Sequence, residues 1–75
     1  MLNKGVNPQE LVNKYAGSGR QANNIAVGNP GSKEIVAADR VIGKYYDRVN
    51  GKYVDTKNFT IVYSKKGVHI YPARP

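Results

Sequence analysis

The segment FTIVYSKKGVHIYP, residues 59–72, contains two strand-like runs separated by a turn. Both runs are rich in β-branched and aromatic side chains, which fit the pleated surface of a β-sheet. The charged pair and the glycine between them, Lys65-Lys66-Gly67, are typical of a hairpin turn. The end of the chain is therefore predicted to be a β-hairpin.

Two registers are open for this hairpin, and they give His69 different cross-strand neighbours. A two-residue turn at Lys66-Gly67 would place Ser64 opposite His69. A three-residue loop of residues 65–67, with its glycine in the left-handed conformation, would place Tyr63 opposite His69 instead. We favour the three-residue loop, because it separates an apolar face from an aromatic and cationic one. The apolar core face would hold Val62, Val68 and Ile70, and the other face Phe59, Ile61, Tyr63, His69 and Tyr71.

A second hairpin is predicted upstream, with its turn at Asn50-Gly51. Both central residues of a type I′ turn need positive φ, which Asn and Gly adopt most readily. An alternating strand from about Arg40 to Val49 precedes this turn. The resulting cross-strand pairs would be Val49 with Lys52, Arg48 with Tyr53, and Asp47 with Val54.

The segment NPQELVNKYAGSG, residues 7–19, carries the start and stop signals of a helix. Asn7 can cap the helix, Pro8 suits its first position, and Glu10 completes a capping box. Gly17 is a typical residue just past a helix end. The apolar stripe of this helix consists of Leu11, Val12 and Tyr15.

We therefore predict an α+β fold, in which an N-terminal helix packs on a small antiparallel β-sheet meander of three to four strands. The whole chain, residues 1–75, would be one small domain. The helical part would cover about residues 1–20, a loop rich in Gly and Asn residues 21–34, and the sheet part residues 35–75. A short extended piece is expected within the loop at residues 25–27, and the apolar start of the sheet part at residues 35–38 has a short helix as its alternative.

The chain has a net charge of +7, and the excess is concentrated in its second half. Residues 1–39 have a balance of only +1, whereas residues 40–75 carry eight basic residues against two acidic ones. Tyrosines lie among these cations, where their rings can stack on unpaired bases. Cations and aromatic rings together favour RNA over duplex DNA as a partner.

The same sequence excludes several kinds of site. There is no cysteine and only one histidine, so neither a disulfide framework nor a structural zinc site is expected. No phosphate-binding loop is present, since no Gly-rich segment is followed by Gly-Lys-Ser or Gly-Lys-Thr. We predict no cofactor and no metal. No apolar run approaches the length of a transmembrane helix, so we expect a soluble protein without membrane contact, monomeric or weakly dimeric through an exposed strand edge.

Three segments resemble the polymorphic toxin type 50 domain of bacterial toxins and phage head-morphogenesis-like proteins. They are PQELVNKYAGSG (residues 8–19), DRVIGKYYDRVNGKYVDT (39–56) and, most specifically, TIVYSKKGVHIYPARP (60–75). The resemblance runs from about residue 8 to the end and implies a shortened N-terminal part, because family members carry a longer segment before the helix. It also implies the fold of the barnase, EndoU, colicin and RelE-like ribonucleases, in which the open face of a sheet cleaves RNA.

The implied activity is that of a ribonuclease toxin that acts without a metal ion. The RNA 2′-hydroxyl attacks its own phosphate, a reaction that needs a base, an acid and cations for the developing charge. Histidine is the side chain that titrates near neutral pH, so the single histidine, His69, is the candidate base or acid. The other candidate catalytic residues of the matching tail are Tyr63, Lys65, Lys66 and Arg74. Candidate nucleic-acid-binding residues are Lys44, Arg48, Lys52, Ser64 and Tyr71.

The resemblance also implies partners and a setting. RNA would be the substrate, and an acidic immunity protein would match the basic face. The domain would belong to a bacterial or phage protein that is delivered into a target-cell cytoplasm. The alternative is a nonenzymatic phage or mobile-element accessory module, whose same surface binds nucleic acid or an acidic protein.

Overall fold

The computed structural model describes the whole chain, residues 1–75, as one short helix and six strands. The helix α1 spans Pro8–Tyr15. The strands are β1 (Arg20–Gln21), β2 (Lys33–Ala37), β3 (Gly43–Asp47), β4 (Lys52–Thr56), β5 (Asn58–Ser64) and β6 (Gly67–Pro72). They form a four-stranded antiparallel sheet in the order β1-β2-β5-β6 and a separate two-stranded sheet of β3 and β4.

Local signals place helix α1. The Asn7 side chain accepts a hydrogen bond from the Gln9 amide at 2.9 Å, and Pro8 occupies the first helical position, as predicted. The predicted capping box is incomplete, because Glu10 makes no hydrogen bond back to the cap. Gly17 follows the helix with a φ of 86°, which is the left-handed conformation that favours glycine.

Strand β2 lies where the sequence left a short helix open and where the loop was predicted to continue. Glu34 and Val36 are buried while Lys33 and Ala37 are exposed, which is the two-residue period of a strand. β2 pairs with β5 in the middle of the sheet, so the predicted meander is wrong. Along the chain, the β3–β4 hairpin lies between these two central strands, but it forms a sheet of its own. No strand forms at residues 25–27.

Both predicted registers of the last hairpin are wrong. The loop is Lys65-Lys66, and Val62 lies opposite His69. The buried residues of β5 set this register, because every second residue of a strand faces the same side. These fully buried residues are Phe59 and Ile61. Tyr63 shares their face, and His69 consequently lies on the opposite one.

The turn between β3 and β4 also differs from the prediction. Asp47 lies opposite Lys52, so a loop of residues 48–51 replaces the predicted two-residue turn. The Asp47 carboxylate accepts hydrogen bonds from the amide of Asn50 at 3.3 Å and from its side chain at 2.7 Å. Only Gly51 has positive φ in this loop, whereas a type I′ turn needs it at both central residues. The bonds to the aspartate side chain set this loop.

The core lies between α1 and one face of the four-stranded sheet. Its buried residues are Val36, Ala38, Ile42, Phe59 and Ile61. From the helix, Tyr15 packs edge-to-face on Phe59 with ring centroids 5.8 Å apart, and Leu11 also contacts this cluster. The sheet therefore has a core face, which the helix covers, and an outer face on the opposite side.

Candidate nucleic-acid interface

The outer face of the four-stranded sheet combines exposed cations with the histidine and a tyrosine. Strand alternation places these residues on it: Arg20, Lys33, Ile35, Thr60, Val62, Ser64, His69 and Tyr71. Ile35, Thr60 and Val62 are at least half-buried, whereas the charged and aromatic members are exposed. A ligand on this face would meet cations and an aromatic ring above a floor of smaller side chains.

The strand register brings Lys33 and His69 onto one cross-strand row. Lys33 lies opposite Val62, which lies opposite His69. Neighbouring strands are about 4.8 Å apart, so the Cα atoms of Lys33 and His69 are about 10 Å apart. Two side chains of this length can both reach a phosphate placed between them. A second row runs beside the first and consists of Arg20, Ile35, Thr60 and Tyr71.

The outer face carries positive charge and no carboxylate. Glu34 points into the core, and the other acidic residues lie at the helix or on the β3–β4 hairpin: Glu10, Asp39, Asp47 and Asp55. The salt bridges of the structure involve other cations, namely Lys14, Arg40 and Lys44. The cations of the outer face and of its adjoining turn, Arg20, Lys33, Lys65 and Lys66, therefore form no ion pair and are available to a polyanion.

The turn between β5 and β6 adds two cations at one end of the outer face. Lys65 and Lys66 are both exposed there. The Ser64 hydroxyl donates a hydrogen bond to the carbonyl of Gly67 at 2.9 Å and helps to hold the turn. Lys65 and Lys66 thus lie in the turn at the start of β6, the strand that carries His69.

Tyr63 lies on the core face, away from His69. Its hydroxyl donates a hydrogen bond to the buried carboxylate of Glu34. Burial raises the pKa of Tyr63 to about 12, together with the hydrogen bond and the charge of Glu34. At neutral pH this hydroxyl is neutral and already bonded, so Tyr63 is unsuited to act on a ligand of the outer face.

Glu34 is a residue that sequence reasoning missed. Its carboxylate also accepts hydrogen bonds from the amides of Gly17 at 3.0 Å and Gly19 at 2.8 Å, which ties the chain after α1 to the sheet. The approach is close: a Cβ on Gly19 would lie 2.7 Å from the carbonyl oxygen of Ile35. One signal was present in the sequence. Glu34 lies two residues before the apolar Val36, so the two share the buried face of a strand. A carboxylate on that face needs hydrogen-bond partners.

Arg74 lies past the end of β6, and the structure does not bring it to His69. An extended chain advances about 3.3 Å per residue, so these residues are on the order of 16 Å apart. Arg74 lies instead with Arg48 in a groove of about 310 Å³ beside the hairpin. There its charge adds to the hydrogen bonds of Asn50 in lowering the pKa of Asp47. Arg74 therefore lies apart from the candidate catalytic histidine.

Three candidate nucleic-acid-binding residues lie on the β3–β4 hairpin and its loop: Lys44, Arg48 and Lys52. Lys44 is paired with Asp55, with Nζ and the carboxylate oxygen 3.0 Å apart. Tyr46 and Tyr53 lie opposite each other on the same face of the hairpin, with ring centroids 5.1 Å apart. The hairpin is therefore a second surface with cations and rings, separate from the outer face.

A cleft of about 160 Å³ lies beside the helix. Lys14 and Asp39 are 3.3 Å apart on its rim, and the Tyr15 hydroxyl donates a hydrogen bond to Asp39 at 3.2 Å. The hydrogen bond of Lys14 lowers the pKa of Asp39, and Asp39 in turn raises the pKa of Lys14. These opposite charges compensate each other, which is typical of a contact that positions a helix. No three of the His, Cys, Asp and Glu side chains are grouped closely enough to hold a metal ion.

This geometry, a small antiparallel sheet with one helix on its core face and a cationic outer face, can be compared with known proteins. A family model described as Bacterial toxin 50 matches residues 1–72. The chain belongs to this family. Searches among curated proteins and among solved structures found no match. The helix α1 is too short and not apolar enough to cross a membrane.

The Bacterial toxin 50 match begins at Met1, whereas the resemblance seen in the sequence began at about residue 8. The structure gives these first residues a place, since Leu2 bridges to Gly43 and the Lys44 amide donates to the carbonyl of Met1 at 2.8 Å. The match ends at Pro72, the last residue of β6. It covers every residue of the outer face and leaves out Arg74.

Two outer-face cations of this Bacterial toxin 50 domain were missed in the sequence, Arg20 and Lys33. Both belong to the half of the chain whose charge is nearly balanced. They reach the outer face because β1 pairs with β2 and β2 pairs with β5. The alternation of exposed and buried residues from Lys33 to Ala37 was the signal that could have placed Lys33 on the sheet.

Proposed function

We propose that this Bacterial toxin 50 domain is a ribonuclease toxin that holds RNA across its outer face. One observation carries the proposal: an open sheet face and its adjoining turn present four unpaired cations and the only histidine, and no carboxylate. Such a face attracts a polyanion and presents an imidazole to its phosphates.

The proposed reaction is transesterification without a metal ion. The 2′-oxygen of a ribose forms a bond to the adjacent phosphorus, and the bond from phosphorus to the 5′-oxygen of the next nucleotide breaks. The products are a 2′,3′-cyclic phosphate and a free 5′-hydroxyl. A base takes the proton of the 2′-hydroxyl, an acid gives a proton to the departing 5′-oxygen, and cations stabilise the charge on the phosphorane.

The outer-face residues divide these tasks according to their chemistry. His69 is the base or the acid, because its imidazole can both accept and donate a proton and is the only such ring on this face. Lys33, across the row from His69, and Lys65 and Lys66 in the turn hold the phosphate as point charges. Tyr71 offers its ring to a base, since stacking on an exposed aromatic side chain accepts any base.

The test is RNA cleavage in the presence of EDTA, with detection of 2′,3′-cyclic phosphate ends. We expect His69→Ala to lower the cleavage rate by about 10²-fold or more. Affinity is measured on 2′-O-methyl RNA, which lacks the attacking hydroxyl and so cannot be cleaved, and it should change little in His69→Ala. Lys4→Ala is the matched surface control, because Lys4 is exposed in the N-terminal segment. Cleavage that is unaffected by loss of His69 would rule out this mechanism.

A nonenzymatic binding module is the second candidate. It is favoured by one feature of the outer face, which holds a single histidine and no carboxylate, whereas the reaction needs both a base and an acid. In that case the wild-type domain would bind 2′-O-methyl RNA with a steep salt dependence and leave unmodified RNA intact. The cleavage assay therefore separates the two candidates.

A further inference from the structure

Strand β6 forms an edge of the four-stranded sheet, and the main-chain groups on its outer side have no hydrogen-bond partner. β6 is hydrogen-bonded only to β5. The amide of Tyr63 donates to the carbonyl of Ser32 at 2.9 Å, and the amide of Gly31 donates to the carbonyl of Tyr63 at 2.8 Å. Tyr63 therefore directs its main chain toward the β2 side, and its neighbours in β5 direct theirs toward β6.

This alternation identifies the free groups of β6. His69 and Tyr71 lie opposite Val62 and Thr60, and their N–H and C=O groups point toward β5. Val68 and Ile70 point theirs in the opposite direction, away from the sheet. Pro72, the next residue in this series, has no N–H group, so the bonding edge ends there.

We infer that the free edge of β6 binds an acidic, amphipathic strand of a partner protein, which adds to the sheet beside β6. Each unpaired N–H and C=O group of Val68 and Ile70 would bond to the main chain of that strand. The partner strand would be about as long as β6, which has six residues.

The charge of the edge requires acidic residues in the partner. Lys65 and Lys66 lie at one end of β6 and His69 lies within it, whereas Arg74, past the other end, lies near Asp47 in the hairpin groove. No acidic residue occurs after Asp55 in the sequence. Carboxylates on the outer-face side of an added strand would lie next to these cations, which favours association through complementary charge.

The side chains at the edge require apolar residues at the alternate positions of the partner. Val68 lies on the core face next to Tyr63, and 41% of its surface is exposed. Ile70 lies on the same face opposite the fully buried Ile61 and is only half-buried. An added strand with apolar residues on this side would continue the core face and remove both side chains from water.

A second copy of this chain is the less suitable occupant of the edge. Two β6 strands that pair antiparallel would bring the lysines of one turn toward Arg74 of the other chain. Like charges at such distances oppose association, and each chain already carries a net charge of +7.

The partner strand would also interfere with RNA, a consequence that rests on the proposed function. His69 belongs both to β6 and to the outer face. Carboxylates placed beside His69, on the side away from Val62, would pair with the histidine and repel the RNA phosphate, so the bound strand would act as an inhibitor. Binding itself does not depend on RNA cleavage and can be tested without it.

The test is amide hydrogen exchange followed by NMR, with a synthetic peptide as the probe. The peptide has eight residues that alternate Val and Glu, with an acetylated N-terminus and an amidated C-terminus. In the free protein we expect the amides of Val68 and Ile70 to exchange rapidly and those of His69 and Tyr71 slowly. Saturating peptide should slow exchange at Val68 and Ile70 by about tenfold or more, because exchange requires the new hydrogen bonds to open.

Charge and edge geometry are tested separately. A peptide with Gln in place of Glu should bind the wild-type protein at least about tenfold more weakly than the Val-Glu peptide does. The Val-Glu peptide should bind the Lys66→Glu variant more weakly by a similar factor. Lys4→Glu is the matched control and should leave peptide affinity unchanged. Val68→Pro removes an outward N–H group at a position equivalent to Pro72, and it should abolish protection at Ile70 while His69 and Tyr71 stay protected.

Three results would overturn the inference, and a fourth would separate it from the proposed ribonuclease activity. Peptide binding that leaves exchange at Val68 and Ile70 unchanged would place the binding elsewhere, and equal affinity for Lys66→Glu would remove the role of charge. Protection at these amides that grows with protein concentration alone would make a second copy the occupant. Peptide binding by a protein that cleaves no RNA would support the strand inference and reject the proposed ribonuclease activity.

Discussion

Tyr63 and His69 belong to the same hairpin but lie on opposite faces of it. The Tyr63 hydroxyl binds the Glu34 carboxylate in the core, whereas His69 is exposed on the outer face. A shift of one residue in the register of a strand moves every side chain to the other face. The tyrosine is therefore part of the scaffold, and the histidine is exposed to a ligand of the outer face.

Tyr63→Phe should destabilise the fold by about 1–3 kcal/mol, because the buried Glu34 carboxylate loses a hydrogen-bond donor. The free energy of unfolding from urea denaturation measures this. Tyr71→Phe is the matched control, since Tyr71 is 45% exposed on the outer face, and it should change stability by less than about 0.5 kcal/mol. Equal losses in the two variants would contradict a structural role for the bond to Glu34.

The Tyr63 hydroxyl should also make stability depend on pH in the alkaline range. The pKa of Tyr63 is raised from 10.0 to about 12, so between these values the unfolded chain releases the proton more readily than the folded one. The stabilising contribution is complete below pH 10 and is lost as the pH rises through about 12. Urea denaturation of the wild type and of Tyr63→Phe should show a stability difference that shrinks from about pH 9 to about pH 11. A difference that stays constant over this range would contradict the raised pKa.

At the scale of the elements, side chains that bind main-chain groups determine where the helix begins and how the β3–β4 hairpin turns. Asn7 accepts a bond from the amide of Gln9 at the start of α1. Asp47 accepts bonds from the amides of Val49 and Asn50 at 2.9 and 3.3 Å. The first of these was predicted from the sequence. The second was not, because the Asn50-Gly51 pair indicated a tighter turn than the aspartate allows.

Asn7→Ala should cost about 1 kcal/mol of stability, because α1 loses the acceptor for one of its first free amides. Thermal or urea unfolding measures the loss for the whole fold, since Tyr15 of the same helix packs on Phe59 in the core. Asn7→Asp keeps an acceptor at the cap and should be close to the wild type. A loss in Asn7→Asp as large as that in Asn7→Ala would show that the cap is not the cause.

At the scale of the whole molecule, the sheet gathers cations from both halves of the chain. Charge counted along the sequence assigned the basic surface to residues 40–75. The pairing of β1 and β2 beside β5 adds Arg20 and Lys33 to that surface. The same topology leaves Arg74 and Arg48 beside a separate groove. The electrostatic footprint is thus a property of the topology as well as of the composition.

RNA affinity should report this footprint through its salt dependence. Each phosphate that a lysine neutralises releases condensed counterions, so Lys33→Gln should reduce the slope of log affinity against log salt concentration by about 1. Lys33→Gln combined with Lys66→Gln should reduce it by about 2, and Lys4→Gln should leave it unchanged. Binding is measured on 2′-O-methyl RNA to avoid cleavage. A slope that responds to Arg48→Gln and Arg74→Gln alone would move the interface to the groove beside the hairpin.

Part of the candidate site was predictable from the sequence, and part was not. His69, Lys65 and Lys66 were predicted together, because a tight turn keeps neighbours in the sequence close in space. Arg74 was grouped with them on the same ground, but β6 is extended and carries it away. Lys33 could not be placed until the pairing of β2 with β5 was known, since these strands are separated by the β3–β4 hairpin.

The sequence by itself determined the position of α1, the location of both hairpins, the excess of positive charge and the family, because these depend on residues that are neighbours along the chain. Only the tertiary structure decided which face of each strand is buried. That choice depends on Phe59 and Ile61 packing under the helix, and the alternation of a strand then assigns every other residue. Tyr63 and Glu34 became core partners for this reason. Lys33 and His69 share one cross-strand row of the outer face for the same reason, although the two are far apart in the sequence.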